Sequence, residues 1–208
     1  MKKTKRSKKS RSWVIKQHRD QFVKKSKTLG YRSRSAFKLI ELNKKFKFLK
    51  KTTNLLDIGS SPGGWSQVSR SVVKIGKIVS IDIKPMENID GIHFIQDNFL
   101  NESTKTLILK KLNQKINVII SDMAADTTGN KNLDCIRTNA LCAEVINFSA
   151  NILERTGTII AKVFMGEDFL QVKDLAKKKF VKVDFFKPES SKKESKETYI
   201  HCSTLKTL

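Results

Sequence analysis

A glycine-rich turn and an acidic residue one strand later are the first features of this sequence that could do chemistry. Residues 57–65 read DIGSSPGGW, whose glycines let the backbone approach a ligand while the next helix offers unpaired N–H groups. Asp82 comes 25 residues after Asp57, where a carboxylate can accept hydrogen bonds from both ribose hydroxyls. Ser61 takes the second glycine position of the pattern GxGxxG, which argues against a nicotinamide-dependent oxidoreductase. The arrangement predicts a site for a nucleoside cofactor.

Two further ionisable residues occur where apolar strands are expected. Asp122 directly follows the run NVIIS (117–121), and Lys162 interrupts the run TIIAKVF (158–164). Burying an ionised group is costly unless it is paired or faces a polar site. Both positions therefore indicate a functional site near the ends of these strands.

The elements that must position these residues alternate along the chain. The predicted helices cover 35–49, 65–74, 100–112, 133–155 and 168–179, and the predicted strands cover 54–58, 77–83, 93–96, 117–121 and 158–164. This alternation predicts an α/β fold with a mostly parallel, doubly wound sheet. Residues 181–186 and 198–203 have no helix between them, which predicts an antiparallel pair at one edge. Ligands of such sheets bind beyond the carboxyl ends of the strands, where the strand order reverses.

Six ordered segments resemble the FtsJ/RrmJ family of bacterial ribosomal RNA ribose 2′-O-methyltransferases, which use S-adenosylmethionine. They are YRSRSAFKL (31–39), LLDIGSSPGGWSQV (55–68), Asp82 with Pro85-Met86, SDMA (121–124), KVFMGE (162–167) and KPESSKKESKETYI (187–200). The resemblance implies a Rossmann-like methyltransferase domain over residues 31–208. It also implies S-adenosyl-L-methionine as the cofactor.

The resemblance further implies a catalytic set of two lysines and two carboxylates: Lys38, Asp122, Lys162 and Glu197. Lys162 is the predicted general base for the ribose hydroxyl. A lysine can take that role only if its pKa falls well below about 10.4, and Lys38 is the nearby cation expected to lower it. The carboxylates are expected to hold the lysines in place. The three histidines share no spacing that suits a metal ion, so no metal is predicted.

The expected cofactor contacts follow the same resemblance, with one departure near the adenine. The family pattern maps onto Gly63, Trp65, Asp82, Asn98 and Asp122. The family usually has an aspartate where this chain has Asn98. The carbonyl oxygen of an asparagine can still accept a hydrogen bond from an adenine amino group. Asp97 is the alternative contact if the loop shifts by one residue.

The charge distribution indicates a polyanionic partner. The chain of 208 residues has a net charge of +22, and residues 1–51 contain 20 lysines and arginines against two acids. We expect residues 1–30 to be a basic, partly flexible helical arm that binds RNA. No apolar run approaches the roughly 20 residues of a membrane span, so no membrane partner is expected. The three cysteines form no CxxC pair, which favours a reducing cytoplasm, and nothing in the sequence demands an oligomer.

The function that the resemblance implies is S-adenosylmethionine-dependent 2′-O-methylation of a uridine in the A-loop of 23S rRNA, within the large ribosomal subunit, supporting late subunit assembly. Two alternatives stay open: a 2′-O-methyltransferase acting on tRNA, and an assembly factor whose RNA binding matters more than catalysis. DNA is not an expected substrate, because DNA lacks the 2′-hydroxyl. The segment Ser121-Asp122-Met123 also has no aromatic residue to stack a flipped base.

Overall fold

Seven strands form one mixed sheet in the computed structural model, which describes residues 20–206. The strands are β1 (Leu55–Ile58), β2 (Ile78–Asp82), β3 (Ile92–Gln96), β4 (Ile116–Ser121), β5 (Leu153–Phe164), β6 (Phe180–Phe186) and β7 (Glu197–Leu205). The helices are α1 (Gln21–Thr28), α2 (Ser35–Phe46), α3 (Gly64–Val72), α4 (Glu102–Leu112), α5 (Lys131–Ile152) and α6 (Phe169–Lys179). Within the described residues, no helix has both the length and the apolarity to cross a membrane.

The strand order is β3-β2-β1-β4-β5-β7-β6, and it reverses between β1 and β4. Strands β1 to β5 are parallel, and β7 runs antiparallel between β5 and β6. Every residue of β1 is buried, as expected for a central strand that helices cover on both faces. The prediction of a mostly parallel sheet with an antiparallel edge is confirmed.

The two faces of the sheet carry separate apolar cores. One core packs against α4, α5 and α6, and the other packs against α2 and α3. Because side chains alternate between faces along a strand, Lys162 shares the α2 face with Ile160, two residues earlier. Tyr199 of β7 belongs to the same face and pairs with Lys162 across the ladder. The α2 face of β5 and β7 therefore carries polar side chains within an otherwise apolar core.

Some predicted boundaries are wrong by several residues: the helix expected over 35–49 ends at Phe46, and the strand expected from residue 158 begins at Leu153. The helix expected over 133–155 ends at Ile152, and β5 begins at Leu153. Ile152 and Leu153 are both buried, and such a short apolar run fits a helix or a strand equally well. Pairing of Leu153 with Ile116 of β4 decides in favour of the strand.

The described part of the predicted basic arm packs on the domain. The Asp20 carboxylate caps α1 by accepting a hydrogen bond from the Phe22 amide at 2.9 Å. The rings of Phe22 and Phe37 of α2 lie 5.5 Å apart, and the Tyr31 amide donates to the Ser26 carbonyl at 2.8 Å. The arm boundary at residue 30 stays a prediction, and residues 1–19 of the arm lie outside the described range.

A buried carboxyl on β1 makes the stability of this fold depend on pH. Asp57 is fully buried, and only one of its oxygens has a hydrogen-bond partner among the described residues, the Ser66 hydroxyl at 2.6 Å. Burial raises the pKa of Asp57 to about 7, against the lowering effect of the Ser66 hydrogen bond, and the Asp122 and Asp82 carboxylates raise it further. Folding therefore favours the protonated acid.

We expect the Asp57→Asn variant to gain stability relative to the wild type as the pH rises from 5 to 8. Above pH 4 the unfolded chain releases this proton and the folded chain keeps it, so the wild type loses stability until the pH passes about 7. The relative gain should be roughly 2 to 3 kcal/mol. Urea unfolding at both pH values measures it, and an equal difference at pH 5 and pH 8 would contradict the prediction.

Candidate functional site

The turn after β1 brings two strand ends close together. Gly59 has a φ of +78°, and a Cβ at this position would lie 2.6 Å from Met123 Cγ and 3.0 Å from the Met123 amide nitrogen. Only glycine combines this backbone conformation with such a close approach. The carboxyl ends of β1 and β4 therefore meet directly at the point where the strand order reverses.

Asp82 is held rigidly at the end of β2. One carboxylate oxygen accepts a hydrogen bond from the Ser61 amide at 2.9 Å, and the other accepts from the Lys84 amide at 2.8 Å. Each oxygen keeps a second lone pair, so the carboxylate can still accept from two neighbouring hydroxyls. This geometry agrees with the ribose contact predicted for Asp82.

A cavity of about 610 Å³ opens beyond β1, β2 and β4. Of the predicted cofactor contacts, Asp82, Asn98 and Asp122 line it, together with Gly59, Asp97 and Met123. The size and the position at the strand reversal suit a nucleoside ligand. Among residues 20–206 there is no group of three histidine, cysteine or acidic side chains that could hold a metal ion.

Gly63 and Trp65 lie outside this cavity wall. The Trp65 side chain is buried, and its indole N–H donates to the Ser35 carbonyl at 2.9 Å. A Cβ at Gly63 would meet the Arg32 guanidinium, at 2.9 Å from Nη1. Arg32 in turn donates to the Glu87 carbonyl at 2.7 Å and thereby ties the turn to the segment after β2. These contacts give both residues structural roles, while their predicted contact with a cofactor stays a prediction.

The structure brings the four predicted catalytic residues into one buried cluster. Lys162 Nζ lies 2.8 Å from Asp122 Oδ1 and 3.9 Å from Glu197 Oε2. Lys38 Nζ of α2 lies 2.7 Å from Glu197 Oε1. Each of the four side chains is 15% exposed or less, so water screens these charges only weakly. Asp122 belongs both to this cluster and to the wall of the cavity.

Two residues that sequence reasoning missed complete the cluster. The Tyr199 hydroxyl donates to Asp122 Oδ1 at 2.5 Å, and the Ser191 hydroxyl donates to Glu197 Oε1 at 2.7 Å. Tyr199 stands two residues after Glu197 on β7, so strand periodicity could have placed it on the same face. Ser191 lies in a polar loop, and no sequence pattern points to it.

Helix α2 also fixes the loop that precedes Glu197. The Glu41 carboxylate accepts hydrogen bonds from the amides of Glu189 and Ser190, at 2.6 and 3.1 Å. Arg34 donates to the Ser190 carbonyl and pairs with Asp20. The start of α1, the helix α2 and the loop before β7 are therefore linked through one arginine.

The cluster keeps its charges in the folded protein. Burial raises the pKa of Asp122 and of Glu197, but Lys162 and Lys38 lower both values by more, so each carboxyl titrates below its ordinary range. Burial raises the pKa of Tyr199, and the neighbouring carboxylates Asp122 and Glu197 raise it further. The phenol therefore stays a hydrogen-bond donor.

The expected lowering of the Lys162 pKa is wrong for this arrangement. Burial does lower the pKa, but the Asp122 and Glu197 carboxylates outweigh it, and the net value lies above that of an ordinary lysine. Lys38 does not supply the expected repulsion, because its ammonium group is paired with Glu197. Lys162 is consequently an ammonium ion at neutral pH.

Residues 31–205 match the family described as FtsJ-like methyltransferase. The chain is 44% identical over 197 residues to "Ribosomal RNA large subunit methyltransferase E" of Pelagibacter ubique, covering 95% of this chain and 97% of that protein. A Plasmodium falciparum crystal structure described as a ribosomal RNA methyltransferase is 34% identical, with a TM-score of 0.76 over 84% of this chain and 98% of that one. Human methyltransferase-like protein 13 in complex with SAH is 15% identical, with a TM-score of 0.58 over 81% of this chain and 79% of that one, and shows the fold alone.

Proposed function

The chain belongs to the FtsJ-like methyltransferase family, and from this premise we propose that it transfers a methyl group from S-adenosylmethionine to a ribose 2′-hydroxyl of large-subunit ribosomal RNA. The observation that carries the proposal is the double role of Asp122. Asp122 lines the nucleoside cavity, and its carboxylate binds the buried lysine at 2.8 Å. Asp122 would therefore lie next to a methyl donor bound in the cavity and next to the buried lysine.

The cavity residues fit S-adenosylmethionine. A ribose needs two acceptors, and each Asp82 oxygen has a free lone pair beside the backbone N–H that fixes it. Gly59 leaves room where any side chain would collide with Met123. When bound, S-adenosylmethionine supplies a methyl group that is already electrophilic because it is attached to a sulfonium. The protein must therefore mainly orient the ribose hydroxyl and remove its proton.

We assign proton removal to Lys162 in its neutral form. A buried amine held by Asp122 and by the Asp122 carbonyl, at 2.8 Å from each, has a fixed direction. The raised pKa does not meet the condition expected from the sequence and makes the neutral form a minor fraction at neutral pH. Lys162 can therefore act only through that fraction, so turnover should increase with pH. Glu197 and Lys38 hold the opposite side of the cluster, and Tyr199 keeps the Asp122 carboxylate oriented.

The substrate assignment combines the relatives with the charge of the chain. The relative from Pelagibacter ubique is named for the large-subunit ribosomal RNA, and it matches over nearly its whole length. A net charge of +22 suits a polyanion, and Lys24, Lys25 and Lys27 are exposed on α1. Within this proposal the target is a uridine ribose in the A-loop of 23S rRNA, and the enzyme acts as a cytoplasmic monomer.

Transfer of radiolabelled methyl from S-adenosylmethionine to purified large subunits, free rRNA, tRNA and DNA tests the proposal. We expect label in the large-subunit rRNA, on a 2′-oxygen. Label in tRNA alone would support the proposed methyl transfer but show that tRNA is the substrate. Binding of S-adenosylmethionine without transfer to any of the four would favour the assembly-factor alternative.

The adenine contact leads to a separate prediction: the Asn98→Asp variant binds S-adenosylmethionine roughly fivefold more tightly. Asn98 Oδ1 accepts a hydrogen bond from the Leu100 amide at 3.0 Å, so this oxygen keeps one lone pair, and the other polar group of the side chain is the amide NH₂, a donor. The 6-amino group of adenine is also a donor, so a carboxylate oxygen suits it better. Isothermal titration calorimetry measures the affinity.

The matched control for this prediction is Asn101→Asp. It adds the same charge just before α4, at a residue that does not line the cavity. If both variants gain the same affinity, the added charge alone explains the effect, and the proposed adenine contact is wrong.

A further inference from the structure

A second cleft, of about 530 Å³, shares a wall with the catalytic cluster. Its apolar surface comes from Met165, Phe169 and Phe185, and its rim includes Lys173, Lys196 and Glu197. We propose that this cleft binds an unpaired nucleotide of the substrate RNA that neighbours the methylated ribose. The inference rests on the proposed function, because it names the part of the RNA that this region holds.

The cleft lies close to the catalytic cluster. Glu197 lines the cleft and also lies 3.9 Å from Lys162 Nζ through its Oε2 atom. Met165 follows Lys162 by three residues at the carboxyl end of β5, about 10 Å along the chain. The Met165 amide donates to the Lys196 carbonyl at 3.0 Å, which fixes this wall of the cleft against the start of β7. The cleft and the catalytic cluster therefore lie at the same end of β5 and β7 but on opposite faces of the sheet, and an RNA strand that crosses this end can reach both.

The cleft offers an apolar and aromatic surface. Met165 is 51% exposed although it lies beside a charged site. The half-buried rings of Phe169 and Phe185 lie 4.8 Å apart, at 53° to each other. Proteins that bind unpaired RNA stack bases on such apolar and aromatic surfaces, because every base has an apolar face.

The cleft is also lined by positive charges. Within residues 20–206, neither Lys173 nor Lys196 has an ion-pair partner, so both ammonium groups are available to a phosphate. The one acid of the cleft wall, Glu197, is compensated by Lys38 at 2.7 Å. An apolar floor with unpaired cations at its rim matches the base and the phosphate of one nucleotide. It does not match an acidic or a purely apolar ligand.

The test compares the full-length wild type with the Lys173→Ala/Lys196→Ala double variant and with Met165→Ser. Fluorescence anisotropy reports the binding of a labelled single-stranded RNA of ten nucleotides, and methylation of large subunits reports KM. We expect the double variant to bind RNA at least tenfold more weakly. The slope of log K against log salt should fall in magnitude by about 1.4, since two phosphate contacts are lost. The melting temperature and the affinity for S-adenosylmethionine should stay unchanged.

Met165→Ser should weaken binding of the normal RNA about fivefold or more. An otherwise identical RNA with abasic residues should show no such difference between Met165→Ser and the wild type. Matched controls are Lys177→Ala and Leu170→Ser, which alter exposed residues of α6 outside the cleft. If the controls weaken RNA binding and raise KM as much as the cleft variants do, the proposed nucleotide site is wrong.

The two proposals fail in different ways. If the wild type methylates no rRNA but the cleft variants bind RNA more weakly than the wild type does, the proposed function is wrong and the proposed nucleotide site is supported. If the wild type methylates rRNA, and the cleft variants have the same KM and the same RNA affinity, the proposed nucleotide site is wrong and the proposed function is supported.

Discussion

Replacing Lys162 with methionine is expected to lower kcat for methyl transfer by about a thousandfold, the usual range for loss of a positioned general base. Methionine keeps most of the length of the side chain and removes only the amine. Single-turnover methylation of large subunits measures the effect, since it reports the chemical step separately from product release. The affinity for S-adenosylmethionine should change little, because Lys162 does not line the nucleoside cavity.

The pH profile distinguishes a base from a merely structural lysine. The pKa of Lys162 is raised, because the Asp122 and Glu197 carboxylates outweigh the effect of burial. Below that pKa the neutral fraction grows with pH, so the wild-type rate should rise about tenfold per unit between pH 7 and pH 9. The residual rate of the Lys162→Met variant should lack this slope.

Lys178→Met is the control for removing an ammonium group, because Lys178 is exposed on α6, away from the cluster. It should keep both the wild-type rate and its pH dependence. If the Lys162→Met enzyme is folded and its rate still rises tenfold per pH unit, another group acts as the base.

The second large effect is expected on stability. Asp122→Ala should lower the free energy of unfolding by about 3 to 5 kcal/mol at pH 7, because it leaves a buried ammonium group without its main partner. Lys162 is only 8% exposed, and its other carboxylate neighbour, Glu197, is 3.9 Å away. The Tyr199 hydroxyl also loses its acceptor. Urea denaturation monitored by tryptophan fluorescence measures the loss.

A double-mutant cycle shows whether the loss belongs to the ion pair. The Asp122→Ala/Lys162→Met protein no longer buries an unpaired ammonium group, so it should be more stable than Asp122→Ala alone. If the loss of stability in the double variant equals the sum of the losses in Asp122→Ala and Lys162→Met, Asp122 stabilises the fold independently of Lys162.

Much of the fold could be predicted from the sequence. Apolar runs such as residues 117–121 are short and uninterrupted, as central parallel strands require, and helical segments separate them. The prediction was wrong where periodicity is ambiguous, at the junction of α5 and β5. There the pairing of Leu153 with Ile116 decides the boundary, and that contact spans 37 residues of sequence.

Residue types and their spacing were enough to identify the groups that could take part in chemistry. The turn after β1, Asp82, and the charged residues Asp122 and Lys162 at strand ends were visible as residue types in unusual places. The resemblance to one family added Lys38 and Glu197, whose surroundings in the sequence look like those of ordinary surface residues. Local patterns suffice for this, because a buried strand makes any charged residue within it conspicuous.

How these residues affect one another depends on their arrangement in the folded protein. The direction of the Lys162 pKa shift depends on two carboxylates, one directly after β4 and one at the start of β7, which lie 40 and 35 positions away in the sequence. The contacts of Tyr199 and Ser191, the buried position of Trp65, and the cleft beside Glu197 likewise arise from strand order and from helix packing. Electrostatic and packing energies depend on distances through space, and the fold sets those distances.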